Sequence, residues 1–298
     1  MQTVTIGIPA HNESRNIIRL LDSILKQETT NYQIEKIIVA CDGCTDNTAD
    51  IVRQYTLEHP VVSLIDDGKR MGQGGRLDNF YRIAESDIFI TFDADTVLRN
   101  TQVIDRLVAA FDQPNIGLVG GRGIPLPPRN FWESVFIAWI DVWYEARKDF
   151  QGGDTVHNHE GCISAMARPL YRKMVIPRDV IASDEFLYFQ AKALGFNFAF
   201  AAEASTLYRC PATVADYERQ SFRFLETKYL LTQYFSFDIL SQYPLPFSRK
   251  ARALGRVFLK HPARVMLALL LQIKLRCVKF DKGLSKTSGV WETVKSTK

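Results

Sequence analysis

Cysteine is scarce in this sequence, with five residues in a chain of 298. Five scattered cysteines are too few for the disulfide framework of a small secreted domain, which favours a reducing compartment. Long apolar runs are also missing: no stretch of 18 uncharged apolar residues occurs, so we expect no spanning helix. The first residues show no basic leader before an apolar segment, so we expect no secretory signal and a cytoplasmic location.

The composition that is present is typical of a globular enzyme. Hydrophobic residues make up 46% of the chain, enough for the core of one large domain or two smaller ones. Charge is spread unevenly, since residues 249–298 hold 13 lysines and arginines against two acids, whereas the first 248 residues hold 24 bases and 31 acids. This basic tail can bind anionic lipid headgroups or nucleic acid, or it is simply a solvated pair of basic helices.

Short apolar runs alternate with helix-period segments over the first 120 residues, which predicts an α/β sheet of parallel strands joined by crossover helices. The predicted strands cover residues 3–9, 35–41, 61–65, 87–92 and 116–120. Further along we predict a loop at 123–128, an aromatic helix at 131–144, a helix near 183–194, a strand near 197–202 and a long helix from about 213 to 235.

Polar residues cluster where the predicted strands end. They are His11, Asn12 and Glu13 after the first strand, Asp42 after the second, Asp66 and Asp67 after the third, and Asp93 and Asp95 after the fourth. A single aspartate in such a place is commonly a helix cap or a turn residue. Because ligands bind at the carboxyl ends of strands in open parallel sheets, four such ends together favour one shared binding crevice.

Asp93 and Asp95 are separated by one residue at the end of a buried strand. Mg²⁺ and Mn²⁺ bind one or two carboxylates and complete their coordination shell with water and phosphate oxygens. The pair therefore predicts a divalent metal site. His157 and His159 leave open the possibility of a further ligand.

Other segments place charged groups near the expected crevice. Asp184 and Glu185 begin a predicted helix behind Ser183, where acids complement the helix dipole and the serine is a plausible cap. A carboxylate there can also act as a general base. Arg223, on the long helix, either meets phosphate or carboxylate or stays solvated. The glycine-rich, basic segment 69–76 is typical of a loop that approaches phosphates or of a flexible surface loop.

Two segments have the composition of membrane-surface helices. The aromatic helix carries a stripe of Phe136, Trp139, Ile140 and Trp143, which is typical of core packing, although a bilayer surface or an acceptor groove are alternatives. Residues 265–273 are apolar between Arg264 and Lys274, too short to span a bilayer but suited to lie on one. We therefore predict peripheral contact with an anionic membrane through residues 249–298.

Six stretches of this sequence together resemble the family 2 inverting nucleotide-sugar glycosyltransferases with the GT-A fold. They cover residues 8–13, 39–48, 72–79, 92–95, 183–187 and 220–224 and follow the family order. The resemblance implies a Rossmann-like, mostly parallel sheet flanked by helices, with a basic helical C-terminal extension. It divides the chain into a nucleotide-sugar-binding half at 1–121, an acceptor-binding half at 122–235 and the extension at 236–298.

The same resemblance implies roles for individual residues. The residues expected to hold the nucleotide sugar are Pro9, Asn12, Glu13, Asp42, Asp66, Arg76 and Asp93. Asp95, together with Asp93, would bind the Mg²⁺ or Mn²⁺ that bridges the diphosphate. Asp184 aligns best with the catalytic base, and Glu185 is the second choice. Gln220, Arg223 and Phe224 would contact the acceptor or the diphosphate.

The implied function is metal-dependent inverting transfer from a nucleotide-diphosphate sugar, with a UDP-sugar favoured. The acceptor would be a hydroxyl of a glycan or of a lipid-linked molecule, in cell-envelope or exopolysaccharide biosynthesis at the cytoplasmic face of the membrane. Phe224 stands where processive members have tryptophan. Because we expect no membrane spans to form a translocation channel, an enzyme that adds one sugar is favoured. We expect no nucleic acid partner. The alternatives are a sugar-phosphate nucleotidyltransferase and a non-catalytic GT-A scaffold that binds a membrane or a partner.

Overall fold

The computed structural model describes residues 1–277, apart from the side chains of residues 222–227. Its strands are β1 (Gln2–Ala10), β2 (Tyr32–Cys41), β3 (Val62–Ile65), β4 (Ile88–Phe92), β5 (Val97–Leu98), β6 (Ile116–Pro125), β7 (Ile163–Ala167) and β8 (Asn197–Tyr208). Its α-helices are α1 (Ile17–Leu25), α2 (Thr48–Glu58), α3 (Gly72–Ile83), α4 (Val103–Ala109), α5 (Phe131–Arg147), α6 (Arg168–Tyr171), α7 (Ser183–Ala193), α8 (Val214–Leu231), α9 (Phe247–Lys260) and α10 (Pro262–Cys277).

In the described part of the chain, the strands form one mixed sheet in the order β3-β2-β1-β4-β7-β6-β8-β5. The first four in that order are mutually parallel, as the sequence predicted. β7 runs antiparallel to both β4 and β6, and β5 runs antiparallel to β8. β6 and β8 are parallel to each other. The expected mostly parallel α/β sheet is therefore confirmed.

Helices cover both faces of the sheet, which explains why all five residues of β4 are buried. Alternate side chains of a strand point to opposite faces. Ile88, Ile90 and Phe92 join a core that contains residues of α1, α2 and α4. Phe89 points the other way, into a core built from α3, α6 and α7. A strand covered on both faces reads as one continuous apolar run, and this made β4 recognisable in the sequence.

Residues 72–83 form a helix, so the loop predicted for 69–76 is wrong from Gly72 onward. The helix forms despite its glycines because Leu77 and Phe80 are buried against the sheet. Gly72 has a φ of +75°, which favours glycine at the point where the chain turns into the helix. At Gly7 in β1, a Cβ atom would lie 2.7 Å from Cδ2 of Phe80, so only glycine allows α3 to approach this closely.

The second half of the chain departs from the sequence prediction in three places. β7 was not predicted, and β6 continues to Pro125 through the start of the predicted loop. The predicted strand at 197–202 extends to Tyr208, because its pairing with β6 resumes beyond an irregularity in register. The extended ends of β6 and β8 lie alongside each other. Each supplies the hydrogen-bonding partners for the backbone N–H and C=O groups of the other.

α5, α9 and α10 form a helical layer beside the sheet. Phe136 of α5 is buried and stacks on Tyr217 of α8 with ring centroids 4.2 Å apart. Trp139 and Trp143 pack into the clusters that join α5 to α9 and α10. The expectation that the aromatic stripe packs in a core is confirmed. Among residues 1–277, no helix is long and apolar enough to cross a membrane.

Candidate active site

The carboxyl ends of β1, β2 and β4 meet at one edge of the sheet. Ala10 in β1 lies opposite Cys41 in β2, and the backbone N–H of Asp42 donates to the Ala10 carbonyl at 2.7 Å. On the other side of β1, Gly7 lies opposite Thr91, so β4 ends beside the same turns. The polar residues that follow these three strands therefore line one edge of the sheet, as predicted.

The turn after β1 is bonded to the turn after β2. The side-chain oxygen of Asn12 accepts the N–H of Thr45 at 2.7 Å, and the N–H of Glu13 donates to Thr48 Oγ1 at 2.8 Å. Asn12 has a φ of +56°, a conformation that asparagine tolerates better than most residues. Pro9 lies just upstream, still in β1. These bonds fix the segment that was predicted to hold the nucleoside.

Asp42 joins the end of β2 to the start of α3. Its Oδ1 accepts the N–H of Met71 at 2.6 Å and Nε–H of Arg76 at 3.0 Å, while Oδ2 accepts the N–H of Gly72 at 3.0 Å. A nitrogen of Arg70 lies 3.3 Å from the same Oδ2. Free backbone donors at a helix start attract a carboxylate, and Asp42 satisfies them here while only 4% exposed.

Arg76 points into the protein and is 1% exposed. Its Nη2 donates to Asp67 Oδ1 at 2.7 Å and to the Cys41 carbonyl at 2.9 Å. The guanidinium lowers the pKa of Asp67 to about 2. Asp66 instead pairs with Arg53 of α2, at 3.1 Å. Arg76 thus holds the segment between β3 and α3 from inside. Direct contact of Arg76 or Asp66 with a nucleotide stays a prediction.

Asp93 and Asp95 lie in a tight turn after β4. The backbone N–H and the hydroxyl of Thr96 both donate to the Asp93 carbonyl, at 3.1 and 2.8 Å. The N–H of Asp93 donates to the Cys162 carbonyl at 3.3 Å. Oδ1 of Asp93 accepts the side-chain amide of Gln73 at 2.9 Å. The turn is therefore held both from the segment before β7 and from α3.

The thiol of Cys162 lies in a buried, negatively charged environment. Burial raises its pKa well above the ordinary value, and the negative charges of Glu160, Asp93 and Asp95 raise the pKa further. Its sulfur is 3.8 Å from Oε2 of Glu160. Cys162 therefore remains a protonated thiol at neutral pH.

The donor set at this turn fits a hard divalent cation. Within the described residues, no group of three or more His, Cys, Asp or Glu side chains is arranged to hold a metal ion. Mg²⁺ and Mn²⁺ do not need one, because one or two carboxylates suffice when phosphate oxygens and water complete the shell. Asp93 and Asp95 offer oxygen donors only, and the protonated Cys162 offers none that zinc prefers.

The two histidines hold backbone groups. Nε2 of His157 lies 2.8 Å from the Tyr243 carbonyl, and Nδ1 of His159 lies 2.7 Å from the Asp184 carbonyl. Because a carbonyl can only accept, each of these nitrogens carries the proton. Burial lowers the pKa of both histidines, which keeps the rings neutral. Nothing in this arrangement supports the alternative that either histidine joins the metal site.

The carboxylate of Asp184 lies near Gly161, whereas that of Glu185 is bonded to Tyr243. A Cβ atom at Gly161 would be 3.7 Å from Oδ2 of Asp184, so this carboxylate covers the residue next to Cys162. The hydroxyl of Tyr243 donates to Oε2 of Glu185 at 2.7 Å. Burial, and secondly the charge of Asp184, raise the pKa of Glu185 to about 7.

A further link joins α3 to the start of α7. The hydroxyl of Ser183 donates to Oε1 of Gln73 at 3.2 Å, and the amide of the same Gln73 binds Asp93. Ala182 occupies the N-cap position, so the prediction that Ser183 caps α7 is wrong. The first turn of α3 thus contacts the residues after β2, after β4 and at the start of α7.

The predicted acceptor motif lies on α8. This helix is capped by Thr213, whose hydroxyl accepts the N–H of Asp216 at 3.1 Å. Gln220 is half-buried on it. The side chains of Arg223 and Phe224 lie outside the described residues, and their predicted contacts stay predictions.

Sequence reasoning missed three residues that support this site. Gln73 lay in the segment interpreted as a loop, and Tyr243 reaches Glu185 from a distant part of the chain. Glu160 stood out only as the neighbour of His159. Its Oε2 accepts the N–H of Gly123 at 2.7 Å and its Oε1 pairs with Arg147. Its position beside two histidines was the one sequence signal that could have identified Glu160.

Known proteins share parts of this sequence and its fold. Residues 5–175 match the model of glycosyl transferase family 2. A dolichyl-phosphate beta-glucosyltransferase of Trichomonas vaginalis is 33% identical over 96 residues, which is 30% of this chain and 28% of that protein. The chain thus spans less than a third of the length of this relative.

Two solved structures share the fold. A mannosyltransferase from Pyrobaculum calidifontis in complex with GDP-Man and Mn²⁺ is 18% identical, with a TM-score of 0.60 over 93% of this chain and 76% of that one. A glucosyl-3-phosphoglycerate synthase from Mycobacterium tuberculosis in complex with Mn²⁺, UDP and phosphoglyceric acid is 17% identical, with a TM-score of 0.53 over 83% and 80%. This likeness confirms the GT-A fold.

Proposed function

Since this chain belongs to glycosyl transferase family 2, we propose that it transfers a sugar from a nucleoside diphosphate sugar to a hydroxyl group with inversion at the anomeric carbon. The observation that carries the proposal is the contact of Gln73 with both Asp93 and Ser183. It brings the acidic turn after β4 next to the residue that precedes Asp184. A transferase needs both groups at one crevice, one for the donor diphosphate and one for the acceptor.

In the proposed reaction, Asp184 takes the proton from the acceptor hydroxyl as that oxygen attacks the anomeric carbon. The bond between this carbon and the diphosphate oxygen breaks in the same displacement, and the nucleoside diphosphate leaves. His159 supports this role because it fixes the Asp184 carbonyl from a buried position. Glu185 is the weaker candidate, since Tyr243 already engages its carboxylate.

Asp93 and Asp95 would hold a Mg²⁺ or Mn²⁺ ion, which would neutralise charge on the leaving diphosphate. Support comes from the oxygen-only donor set and from the two structural neighbours that were solved with Mn²⁺. Gln73 orients one of these carboxylates through its bond to Asp93 Oδ1. Thr96 fixes the same turn through the Asp93 carbonyl.

For the donor we favour a UDP-sugar, held by the turns after β1, β2 and β3. The residues assigned to this task are Pro9, Asn12, Glu13, Asp42, Asp66, Arg76 and Asp93. The bonds between the first two turns give the nucleoside a fixed wall. In this arrangement Asp42 and Arg76 act mainly by shaping the start of α3.

For the acceptor we propose a glycan or a lipid-linked molecule, contacted by Gln220, Arg223 and Phe224. Its synthesis would belong to the cell envelope or to an exopolysaccharide, at the cytoplasmic face of a membrane. Two observations support this: a relative named for a dolichyl-phosphate acceptor, and the basic helices α9 and α10.

The test is a product analysis with the full chain. UDP-, GDP- and TDP-sugars are first screened for thermal stabilisation in the presence of Mn²⁺, because a ligand that binds only the folded state raises the melting temperature. The donor that stabilises is then incubated with Mn²⁺ and the products are separated. Release of a nucleoside diphosphate supports the proposal. Release of pyrophosphate would identify a nucleotidyltransferase, and no turnover with any donor would favour a scaffold.

A further inference from the structure

The helices α9 and α10 leave large apolar side chains exposed. Their inner faces are buried in the clusters shared with α5, through residues such as Val257 and Val265. On their outer faces, the exposed apolar residues are Phe247 at 83%, Phe258 at 38%, Leu259 at 85%, Met266 at 49%, Leu270 at 57% and Ile273 at 55%. We call this set the outer apolar face.

On α10 these residues form a continuous stripe. Met266, Leu270 and Ile273 are spaced by four and three residues, which places them on one side of a helix. Val265, Ala268 and Leu275 lie on the buried side, against α5 and its neighbours. α10 is thus apolar on two sides, and the described protein covers only one of them.

The two helices that carry the outer apolar face are strongly basic. Residues 247–277 contain eight lysines and arginines and no acid. Three of them pair with carboxylates of the body: Arg249 with Asp149, Arg256 with Glu145, and Lys274 with Glu218. The other five form no ion pair with any of the described side chains: Lys250, Arg252, Lys260, Arg264 and Arg276. The charge that this surface offers is therefore strongly positive.

An anionic bilayer matches both properties of this surface. Apolar side chains enter the boundary between headgroups and acyl chains, and basic side chains remain at the headgroups. A second copy of the chain fits poorly, because two faces of the same positive charge would repel each other. Nucleic acid would pair with the charges but would leave the apolar stripe of α10 facing water. The described residues of α10 are too few to cross a bilayer, so a membrane-bound α10 would lie along the surface.

We propose that the outer apolar face rests on an anionic lipid bilayer and that this docking turns the candidate active site towards the membrane. The coupling comes through Tyr243, which bonds to Glu185 and lies four residues before Phe247 at the start of α9. Four residues span at most about 14 Å. Phe247 in the interface would hold the carboxylates of α7 within reach of a lipid headgroup. The lipid-linked acceptor rests on the proposed function, whereas the docking itself does not.

The experiment is vesicle flotation of the full chain at about 0.1 M salt, where charges are screened beyond about 10 Å. Vesicles of phosphatidylcholine are compared with vesicles that also contain about one third phosphatidylglycerol. We expect binding to the anionic vesicles only. The triple variant Met266→Gln, Leu270→Gln, Ile273→Gln should bind at least about tenfold more weakly, since each change replaces an exposed apolar side chain by a polar helix former. The triple variant Lys250→Gln, Arg252→Gln, Lys260→Gln should lose the preference for anionic vesicles.

The control substitutions lie on elements other than α9 and α10. Leu57→Gln with Ile83→Gln removes two exposed apolar side chains, at 72% and 52% exposure, and should leave flotation unchanged. Arg19→Gln, Lys26→Gln and Lys36→Gln remove three exposed charges and should do the same.

Two outcomes would overturn the proposal. One is unchanged flotation of the α10 triple variant. The other is a stable dimer of the wild-type chain in light scattering that the same variant dissociates, since the occupant would then be a second copy. Nucleoside diphosphate release from the donor is measured in parallel with soluble components. If the wild-type chain releases no nucleoside diphosphate, the proposed function is wrong. The flotation result is independent of that outcome.

Discussion

The side-chain amide of Gln73 donates a hydrogen bond to Oδ1 of Asp93 at 2.9 Å. Gln73 belongs to the first turn of α3, and Asp93 follows β4, so the bond joins two elements that the sheet alone would only place side by side. The other end of the same amide accepts from Ser183 at the start of α7. One neutral side chain thus spans the crevice between the acidic turn and the candidate base.

Replacing this residue tests whether the bridge positions the site. Gln73→Ala removes both bonds and should lower kcat by about tenfold to a hundredfold, because small displacements of reacting groups are costly. Steady-state kinetics with the identified donor measures kcat. The melting temperature of Gln73→Ala should differ little from that of the wild type. Gln54→Ala, at an exposed site on α2, is the control. An unchanged kcat for Gln73→Ala would show that the bridge has no part in the reaction.

Arg76 gives a prediction about stability. The change Arg76→Met leaves the buried Asp42 without its strongest partner and should lower the free energy of unfolding by about 3–5 kcal/mol. Urea denaturation followed by circular dichroism provides the measurement. Arg82→Met removes an exposed pair with Asp78 and should cost less than about 1 kcal/mol. An equal loss of unfolding free energy in the two variants would mean that Arg76 does not hold the segment between β3 and α3.

Glu185 predicts a pH dependence. Its pKa is raised to about 7 from an ordinary 4.5, so between these values the folded protein holds a proton that the unfolded chain has released. The free energy of unfolding should therefore fall as pH rises from 4.5 to 7. The fall amounts to at most about 3 kcal/mol, since each pKa unit corresponds to about 1.4 kcal/mol. Glu185→Gln should remove it.

Denaturation curves at pH 5, 6, 7 and 8 measure the effect as the difference between wild type and variant. Glu58→Gln on α2 replaces an exposed glutamate and serves as the control. If the difference between wild type and Glu185→Gln does not change with pH, the surroundings of Glu185 do not raise its pKa.

Asp95 predicts a metal-dependent loss of donor binding. Asp95→Ala should weaken binding of the nucleotide sugar by at least about tenfold in the presence of Mn²⁺ and leave binding without metal unchanged, because it removes one of the two proposed carboxylate ligands. Calorimetry with and without Mn²⁺ separates the two cases. Asp112→Ala, an exposed aspartate after α4, is the control. Equal weakening with and without Mn²⁺ would argue against a metal ligand.

Much of the first half of the fold could be predicted from the sequence. β1, β2 and β4 lie within the predicted ranges or extend them by a few residues, because buried parallel strands read as apolar runs followed by polar turns. The helix α3 could not be predicted in the same way. Its start is glycine-rich, and it is stabilised by Asp42 at its N-terminus and by contacts with the sheet, which are properties of the folded chain.

The candidate site also contains residues that the sequence reveals and residues that only the folded chain reveals. Asp93 and Asp184 carry local sequence signals, since each follows or begins a regular element. Gln73 and Tyr243 carry none, because their roles depend on hydrogen bonds to residues 20 and 58 positions away. β7 was missed because its sequence, Ile163–Ala167, contains serine and two alanines, whereas β4 is made of isoleucine, phenylalanine and threonine. Residues of the β4 kind are enriched in strands and alanine is depleted, so β7 has no clear strand signal.

The most direct measurement is the transfer rate of Asp184→Asn, made with the donor that the screen identifies. The change keeps the shape of the side chain and removes its basicity. Transfer should fall by at least about a thousandfold, within the range for loss of a general base, while calorimetry shows donor affinity within about twofold of wild type. Transfer by Asp184→Asn at the wild-type rate, or its loss in Glu185→Gln alone, would contradict the assignment of Asp184 as the base.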